Sequence, residues 1–105
     1  MSERYFKIDI SEYVEIHVFI KTINGLIVDF MVKLIWRFEN SFYEVVRFDS
    51  GHDCPHKDIL NPEGKVIRKI WYEFHDNKQA LDLGIKDLKE NYEIYIERFK
   101  KWLKK

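Results

Sequence analysis

The segment Leu26–Glu39 constrains the fold of this chain more than any other part of its sequence. Its even-numbered positions form an unbroken apolar series: Leu26, Val28, Phe30, Val32, Leu34, Trp36 and Phe38. A period of two residues is typical of a β-strand that buries one face, because successive side chains point to opposite sides of a sheet. The segment therefore predicts a long strand with one apolar face and one polar face.

The same alternation predicts further strands. It extends over Tyr5–Ile10, Tyr13–Lys21 and Phe42–Asp49. Residues 50–57 are predicted to form a loop, and a fifth strand over Lys65–Glu73 follows a turn of the Pro and Gly type. Residues 1–74 thus predict an antiparallel sheet of four to five strands, in which the fifth strand pairs with the fourth.

The Asn24-Gly25 pair is a strong hairpin signal that permits two registers. A two-residue loop would set the polar side chains of the second strand against the apolar face of the third. A three-residue loop that begins at Ile23 pairs even positions with even positions and keeps the aliphatic residues together. Because a slip of one residue moves a whole apolar face out of the core, we expect the three-residue loop.

The turn around Asn40 and Ser41 is expected to continue this register. It would place Phe42, Val46 and Phe48 on the apolar face, together with one misfit, Glu44. The opposite face would then carry the following side chains: Glu15, His17, Asp29, Lys33, Arg37, Tyr43, Val45, Arg47 and Asp49.

A long helix is predicted over residues 76–105. Asp76 and Gln79 form a capping-box pattern at its start. An apolar stripe at alternating spacings of four and three follows: Leu81, Ile85, Leu88, Tyr92, Tyr95, Phe99 and Trp102. The stripe predicts an α+β domain in which this C-terminal helix covers the apolar face of the sheet. Because such a helix reaches about 40 Å, we expect the part from Tyr95 onward to overhang and contact a partner or a second copy, or else to pack on the sheet.

Composition bounds the class of protein. The chain has 105 residues, 18 basic and 18 acidic side chains, and one cysteine. The equal charges give the whole chain no general attraction for nucleic acid. No apolar run approaches the ~20 residues that a spanning helix needs, and the first ten residues do not resemble a signal peptide. We therefore expect a single domain, 1–105, located in the cytoplasm and without a membrane partner.

The segment from Arg47 to Asp58 carries the strongest candidates for chemistry. Two of the four histidines, three aspartates and the only cysteine lie in it. A metal-independent acid–base reaction would use His52 and His56 as acid and base, since imidazoles titrate near neutrality. Arg47 would neutralise a phosphate and Asp49 would orient an imidazole. A ribonuclease without a cofactor needs this set of groups.

Two alternatives for the same segment stay open. His52, Cys54 and His56, at alternating positions, would be able to hold a zinc ion whose remaining ligand comes from elsewhere. In the other alternative the aspartates hydrogen-bond nearby backbone amides, as Asp does in turns, and the segment is structural.

The residues of this segment also resemble two families. Arg47, Phe48 and Asp49, followed by His52, His56 and a Pro-acidic-Gly turn, resemble the centre of an uncharacterised archaeal and bacterial family. More distantly, residues 47–49 and the Pro-His-Lys element at 55–57 are similar to the TumE toxins of toxin–antitoxin pairs. The TumE resemblance implies action on RNA, with Arg47, Asp49, His52 and His56 at the matching positions, and a cognate antitoxin as partner.

Two functions are therefore predicted. The first is a toxin–antitoxin-like protein that acts on RNA by metal-independent acid–base chemistry. The second is a non-catalytic interaction module that dimerises or binds a partner through its long helix. Convergence of His17, Asp49, His52 and His56 in one cleft would favour the first.

Overall fold

The computed structural model describes residues 1–51 and 54–103. In these residues six antiparallel strands run in chain order across one sheet, and one helix follows them. The strands are β1 (Ser2–Ser11), β2 (Val14–Ile23), β3 (Leu26–Phe38), β4 (Ser41–Asp49), β5 (His56–Leu60) and β6 (Val66–Trp71), and the helix α1 is Asn77–Leu103. The predicted α+β class and the helix on the sheet are confirmed, whereas the count of four to five strands is wrong.

The additional strand is β5, which begins inside the predicted loop. It pairs with β4 through Arg47 opposite Asp58 and Asp49 opposite His56. Strand β6 then pairs with β5 and not with β4 as predicted. All five residues of β5 are buried, so its polar and apolar side chains do not alternate in the way that marks a half-exposed strand.

A bulge corrects the register of the first hairpin. Asn24 and Gly25 form a two-residue loop with φ angles of 53° and 78°, which is the combination that a type I′ turn requires. The predicted three-residue loop is therefore wrong. Even positions nevertheless meet from Ile20 opposite Phe30 onward, because Val28 is an extra, unpaired residue of β3.

A second bulge explains the misfit of Glu44. Leu34 lies opposite Val46, but Ile35 lies opposite Glu44, so that Val45 is the extra residue of β4. The bulge turns Glu44 to the polar face of the sheet, and it leaves the apolar residues after it in their predicted register.

The same bulge overturns the predicted faces of three further residues. Phe42 lies opposite Arg37 on the polar face and is 62 % exposed. Tyr43 lies on the helix side, where its ring centroid is 5.5 Å from that of Phe99. Val45 is 1 % exposed and belongs to the core. Val46 and Phe48 lie in the core, on the side predicted for them.

Helix α1 covers the apolar face, and its start is the predicted capping box. The backbone N–H of Gln79 donates to Asp76 Oδ1 at 2.8 Å, and the N–H of Asp76 donates to Gln79 Oε1 at 2.9 Å. The helix approaches the sheet closely at Gly84, where a Cβ atom would lie 2.9 Å from the Phe48 ring. No helix in the described part of the chain has the length and apolar character that crossing a membrane requires.

The last turns of α1 pack on the sheet of the same chain. Tyr95 is buried and Phe99 is 0 % exposed, with its ring centroid 6.1 Å from that of Trp36. Trp102 and Leu103 are half-buried against the same core. Strand β3 has 13 residues, about 43 Å at 3.3 Å per residue, so the sheet is as long as the helix. The predicted overhang is therefore wrong, and packing on the sheet is confirmed.

Candidate functional site

The sheet face opposite α1 carries two neighbouring rows of side chains that cross all the strands. The first row consists of Tyr5, Phe19, Met31, Asp49, His56 and Trp71. The second row consists of Lys7, His17, Lys33, Arg47, Asp58 and Lys69. Because the described residues contain no second layer on this side, we refer to the surface of these two rows as the open face.

Arg47 is the centre of an ion network on β4, β5 and β6. Its Nη2 donates to Asp58 Oδ2 at 3.0 Å, and its Nη1 donates to Glu44 Oε2 at 3.0 Å. Its Nε lies 3.1 Å from Asp49 Oδ2, an ion-pair contact that lacks hydrogen-bond geometry. Three carboxylates of the same chain therefore surround the guanidinium.

His56 is buried in the same network and is only 2 % exposed. Its Nδ1 donates to the backbone carbonyl of Cys54 at 3.1 Å. Its Nε2 lies 3.1 Å from Asp49 Oδ1 and 3.5 Å from Asp58 Oδ2. Both ring nitrogens therefore face oxygen atoms that accept hydrogen bonds. The Trp71 ring lies beside the imidazole, with 5.1 Å between centroids.

Asp58 is the most buried carboxylate of the network, at 1 % exposed. Lys69 donates to its Oδ1 at 2.8 Å, and Arg47 donates to its Oδ2. Burial alone would raise the pKa of Asp58, but the hydrogen bonds from Lys69 and Arg47 outweigh burial and hold the pKa below its usual value of 3.8. The folded state therefore favours the charged carboxylate.

Acid is expected to weaken this network. A carboxyl group with a lowered pKa in the folded state stabilises the fold above its ordinary pKa, and this contribution is lost as the pH falls through the folded value. We therefore expect the free energy of unfolding of Asp58→Asn to differ most from wild type near neutral pH, and the difference to shrink below about pH 4.

Urea unfolding between about pH 7 and pH 3 measures this difference. Asp9→Asn is the matched control, because its carboxylate is 68 % exposed on β1. A difference between wild type and Asp58→Asn that stays constant over this range would contradict an ionised, network-bound Asp58.

The structure brings together three of the four residues predicted for catalysis. Asp49 contacts both Arg47 and His56, at the end of β4 and the start of β5. His52 lies outside the described residues. His17 lies on β2, which β3 separates from β4, so it does not join the other three.

The residues that lie close enough together to hold a metal ion are not the set predicted for zinc. Cys54 directs its backbone carbonyl to His56, and its Sγ lies 3.6 Å from the carbonyl of the next residue. Ligand atoms of Asp49, His56 and Asp58 do lie within 4.8 Å of one another. The guanidinium of Arg47 and the ammonium of Lys69 already neutralise their carboxylates, so this set fits an ion network better than a metal centre.

The sequence interpretation missed a second polar cluster, on the helix side of β5. Lys57 is 8 % exposed, and its Nζ donates to the Tyr95 hydroxyl at 2.5 Å and to Asp87 Oδ2 at 3.3 Å. The Tyr95 hydroxyl donates to the same Asp87 oxygen. Burial raises the pKa of Tyr95, and the hydrogen bond and charge of Asp87 raise it further. One feature of the sequence could have indicated this cluster. Asp87, Asn91 and Tyr95 follow one another at intervals of four residues, which places them on one face of the helix.

The open face also has a hollow of about 530 Å³ over β1, β2 and β3. Its lining includes Tyr5, Lys7, His17, Phe19, Met31 and Lys33. Tyr5 is 78 % exposed, and its ring centroid lies 4.7 Å from that of Phe19. A hollow lined by an exposed ring and by basic side chains is able to stack a planar group and bind an attached anion.

Comparison with known proteins yields one match. No curated protein and no solved structure matches the sequence. The family model described as a domain of unknown function, DUF7718, matches residues 1–105. Because this match spans all of the sequence given, the chain belongs to the DUF7718 family.

Proposed function

We propose that this protein binds single-stranded RNA on the open face of its sheet, in the cytoplasm. The observation that carries the proposal is the hollow, which is lined by the paired rings of Tyr5 and Phe19 and by Lys7 and Lys33. Sheets that bind single strands stack bases on aromatic side chains and hold the phosphates with basic residues. The resemblance of residues 47–49 and 55–57 to the TumE toxins favours RNA as the nucleic acid.

The basic side chains at the hollow are more exposed than the nearby acidic ones, which supports an anionic ligand although the whole chain is neutral. The side chains of Glu15 and Asp58 are 13 % and 2 % exposed, whereas those of Lys7 and Lys33 are 55 % and 34 % exposed. Glu3, Asp9 and Asp29, at the margins of this face, are exposed exceptions. A phosphate that approaches the hollow therefore meets the ammonium groups of Lys7 and Lys33 before it meets the carboxylates of Glu15 and Asp58.

The geometry favours binding over acid–base catalysis at His56. A general acid or base must lie within hydrogen-bond reach of the proton that it moves. The His56 ring is buried against Asp49, and Arg47 is held by three carboxylates. RNA cleavage with His52 as the second imidazole, and a cognate antitoxin as partner, stay predictions from the TumE resemblance.

Tyr5→Ala is expected to weaken RNA binding about 10-fold, because stacking contributes ~1–3 kcal/mol per base. Lys33→Gln is expected to lower the slope of log affinity against log salt by about one, since one phosphate contact is lost. Fluorescence anisotropy with a labelled single-stranded oligoribonucleotide measures both effects.

Two matched variants serve as controls for this experiment. Tyr13→Ala removes another exposed tyrosine outside the hollow, and Lys86→Gln removes an exposed lysine of the helix. Both are expected to bind as wild type does. Equal affinities for Tyr5→Ala and Tyr13→Ala, or no binding by wild type, would remove the proposal.

The same oligoribonucleotide tests the predicted reaction. It is incubated in chelator with wild type and with His56→Ala, and folding of the variant is verified by circular dichroism. Intact RNA with wild type is the result expected for a binding protein. Cleavage that disappears in a folded His56→Ala would instead assign acid–base chemistry to the contact between His56 and Asp49.

A further inference from the structure

Strand β1 forms an edge of the sheet. Among the described strands it pairs with β2 alone, and eight of its ten residues are exposed. Helix α1 packs mainly on β3 and β4. An edge strand presents N–H and C=O groups that a further strand is able to pair with. Four charged side chains at Glu3, Arg4, Lys7 and Asp9 restrict which strand that can be.

We propose that two copies of this chain pair antiparallel through β1, with Tyr5 opposite Tyr5 at the two-fold axis. In this register Glu3 of each copy lies opposite Lys7 of the other, which gives two ion pairs across the edge. Arg4 of each copy lies opposite Phe6 of the other, so the guanidinium is able to lie over a ring, as Arg4 already does with Phe6 of its own strand at 5.4 Å.

Charge complementarity selects this register among its neighbours. A two-fold axis perpendicular to the sheet keeps each face continuous only when it passes between a residue and the same residue of the other copy. The possible registers therefore differ in which residue lies at the axis. An axis at Arg4 or at Lys7 would set that cation against its own copy. An axis at Phe6 would set Glu3 against Asp9. Like charges directly opposite each other destabilise a strand pair.

An axis at Ile8 is the one competing register with complementary charges, because it sets Lys7 against Asp9. It would have to extend the new ladder through Ile10 and Ser11. The pairing of β1 with β2 jumps from Asp9 to Ser11, so Ile10 is a bulge. A bulge bends the strand and interrupts regular pairing. The Tyr5 axis uses residues 2–8, where the ladder with β2 is regular.

A charge exchange tests the proposed register by sedimentation equilibrium of the full chain without RNA. Wild type is expected to dimerise. Glu3→Lys and Lys7→Glu are each expected to raise the dimer dissociation constant about 10-fold, because each turns two attractive pairs into two repulsive ones. The double variant restores both pairs and is expected to dimerise as wild type does. Folding of each variant is checked by circular dichroism.

Cysteine crosslinking provides a second measurement. Opposed Cα atoms of antiparallel strands lie about 4.5–5.5 Å apart, which is within the range of a disulfide. Tyr5→Cys in a Cys54→Ser background is therefore expected to form a covalent dimer on mild oxidation, and Tyr13→Cys in the same background is not.

Three results would overturn the inference. The first is a wild type that stays monomeric at every concentration. The second is a dimer that is insensitive to both charge reversals. The third is a dimer that Lys7→Glu weakens and Glu3→Lys does not, because that pattern belongs to the axis at Ile8. None of these results depends on RNA binding, so the two proposals fail separately.

Discussion

Replacing Asp58 with alanine is expected to lower the free energy of unfolding by about 3–5 kcal/mol. The carboxylate is 1 % exposed and accepts hydrogen bonds from Arg47 and Lys69. Its removal leaves both cations, and the His56 ring beside them, with one acceptor group fewer in a buried site. Since small domains are stable by about 5–15 kcal/mol, this one change removes a large share of the total. Urea unfolding with a common m-value measures it.

An exposed carboxylate on the same sheet face provides the control for this prediction. Asp9→Ala removes a side chain that is 68 % exposed and 3.7 Å from Lys7, and we expect a change within about 0.5 kcal/mol. A loss for Asp58→Ala that is no larger than the loss for Asp9→Ala would contradict the buried network.

Phe99→Ala is expected to destabilise the monomer by about 3–5 kcal/mol. The ring is 0 % exposed and packs against Trp36, Tyr43 and Trp102, so truncation leaves a cavity between the helix and the sheet. A domain of this size loses about 4–8 °C in Tm for each kcal/mol. Thermal unfolding is therefore expected to shift by at least about 12 °C.

The position of Phe99 makes this variant a test of where the helix end packs. A residue on a partner surface would change association and leave the stability of the monomer almost intact. Ile94→Ala, on the same helix and 64 % exposed, is the control and is expected to cost less than about 0.5 kcal/mol. Similar thermal stabilities for the two variants would contradict packing of Phe99 in the core.

Local patterns in the sequence were enough to predict the elements that expose one face and bury the other. Strand β3 and the apolar stripe of α1 show their periods directly, and Asp76 and Gln79 mark the helix start. The bulges at Val28 and Val45 were not predictable in this way. A bulge depends on which residues the neighbouring strand presents, and this information lies outside the segment that bulges.

The candidate site could be predicted in part. Arg47 and Asp49 alternate on β4, so their presence on one face follows from the strand period, and His56 was expected nearby. The burial of His56 and the partners of Asp58 were missed, because β5 was not predicted as a strand and its first two residues fell in the predicted loop. A strand that buries charged side chains on both of its sides has no periodic signal, and only its cross-strand neighbours explain it.

A sheet whose spatial order repeats the chain order also bears on the way this protein folds during synthesis. Each strand pairs with the one made just before it, so the loops that must close are short and the entropy lost in closing them is small. The helix comes after all of the strands. A nascent chain therefore exposes Phe30, Phe48 and the rest of the apolar face until α1 has left the ribosome, and it is most prone to aggregation in that interval.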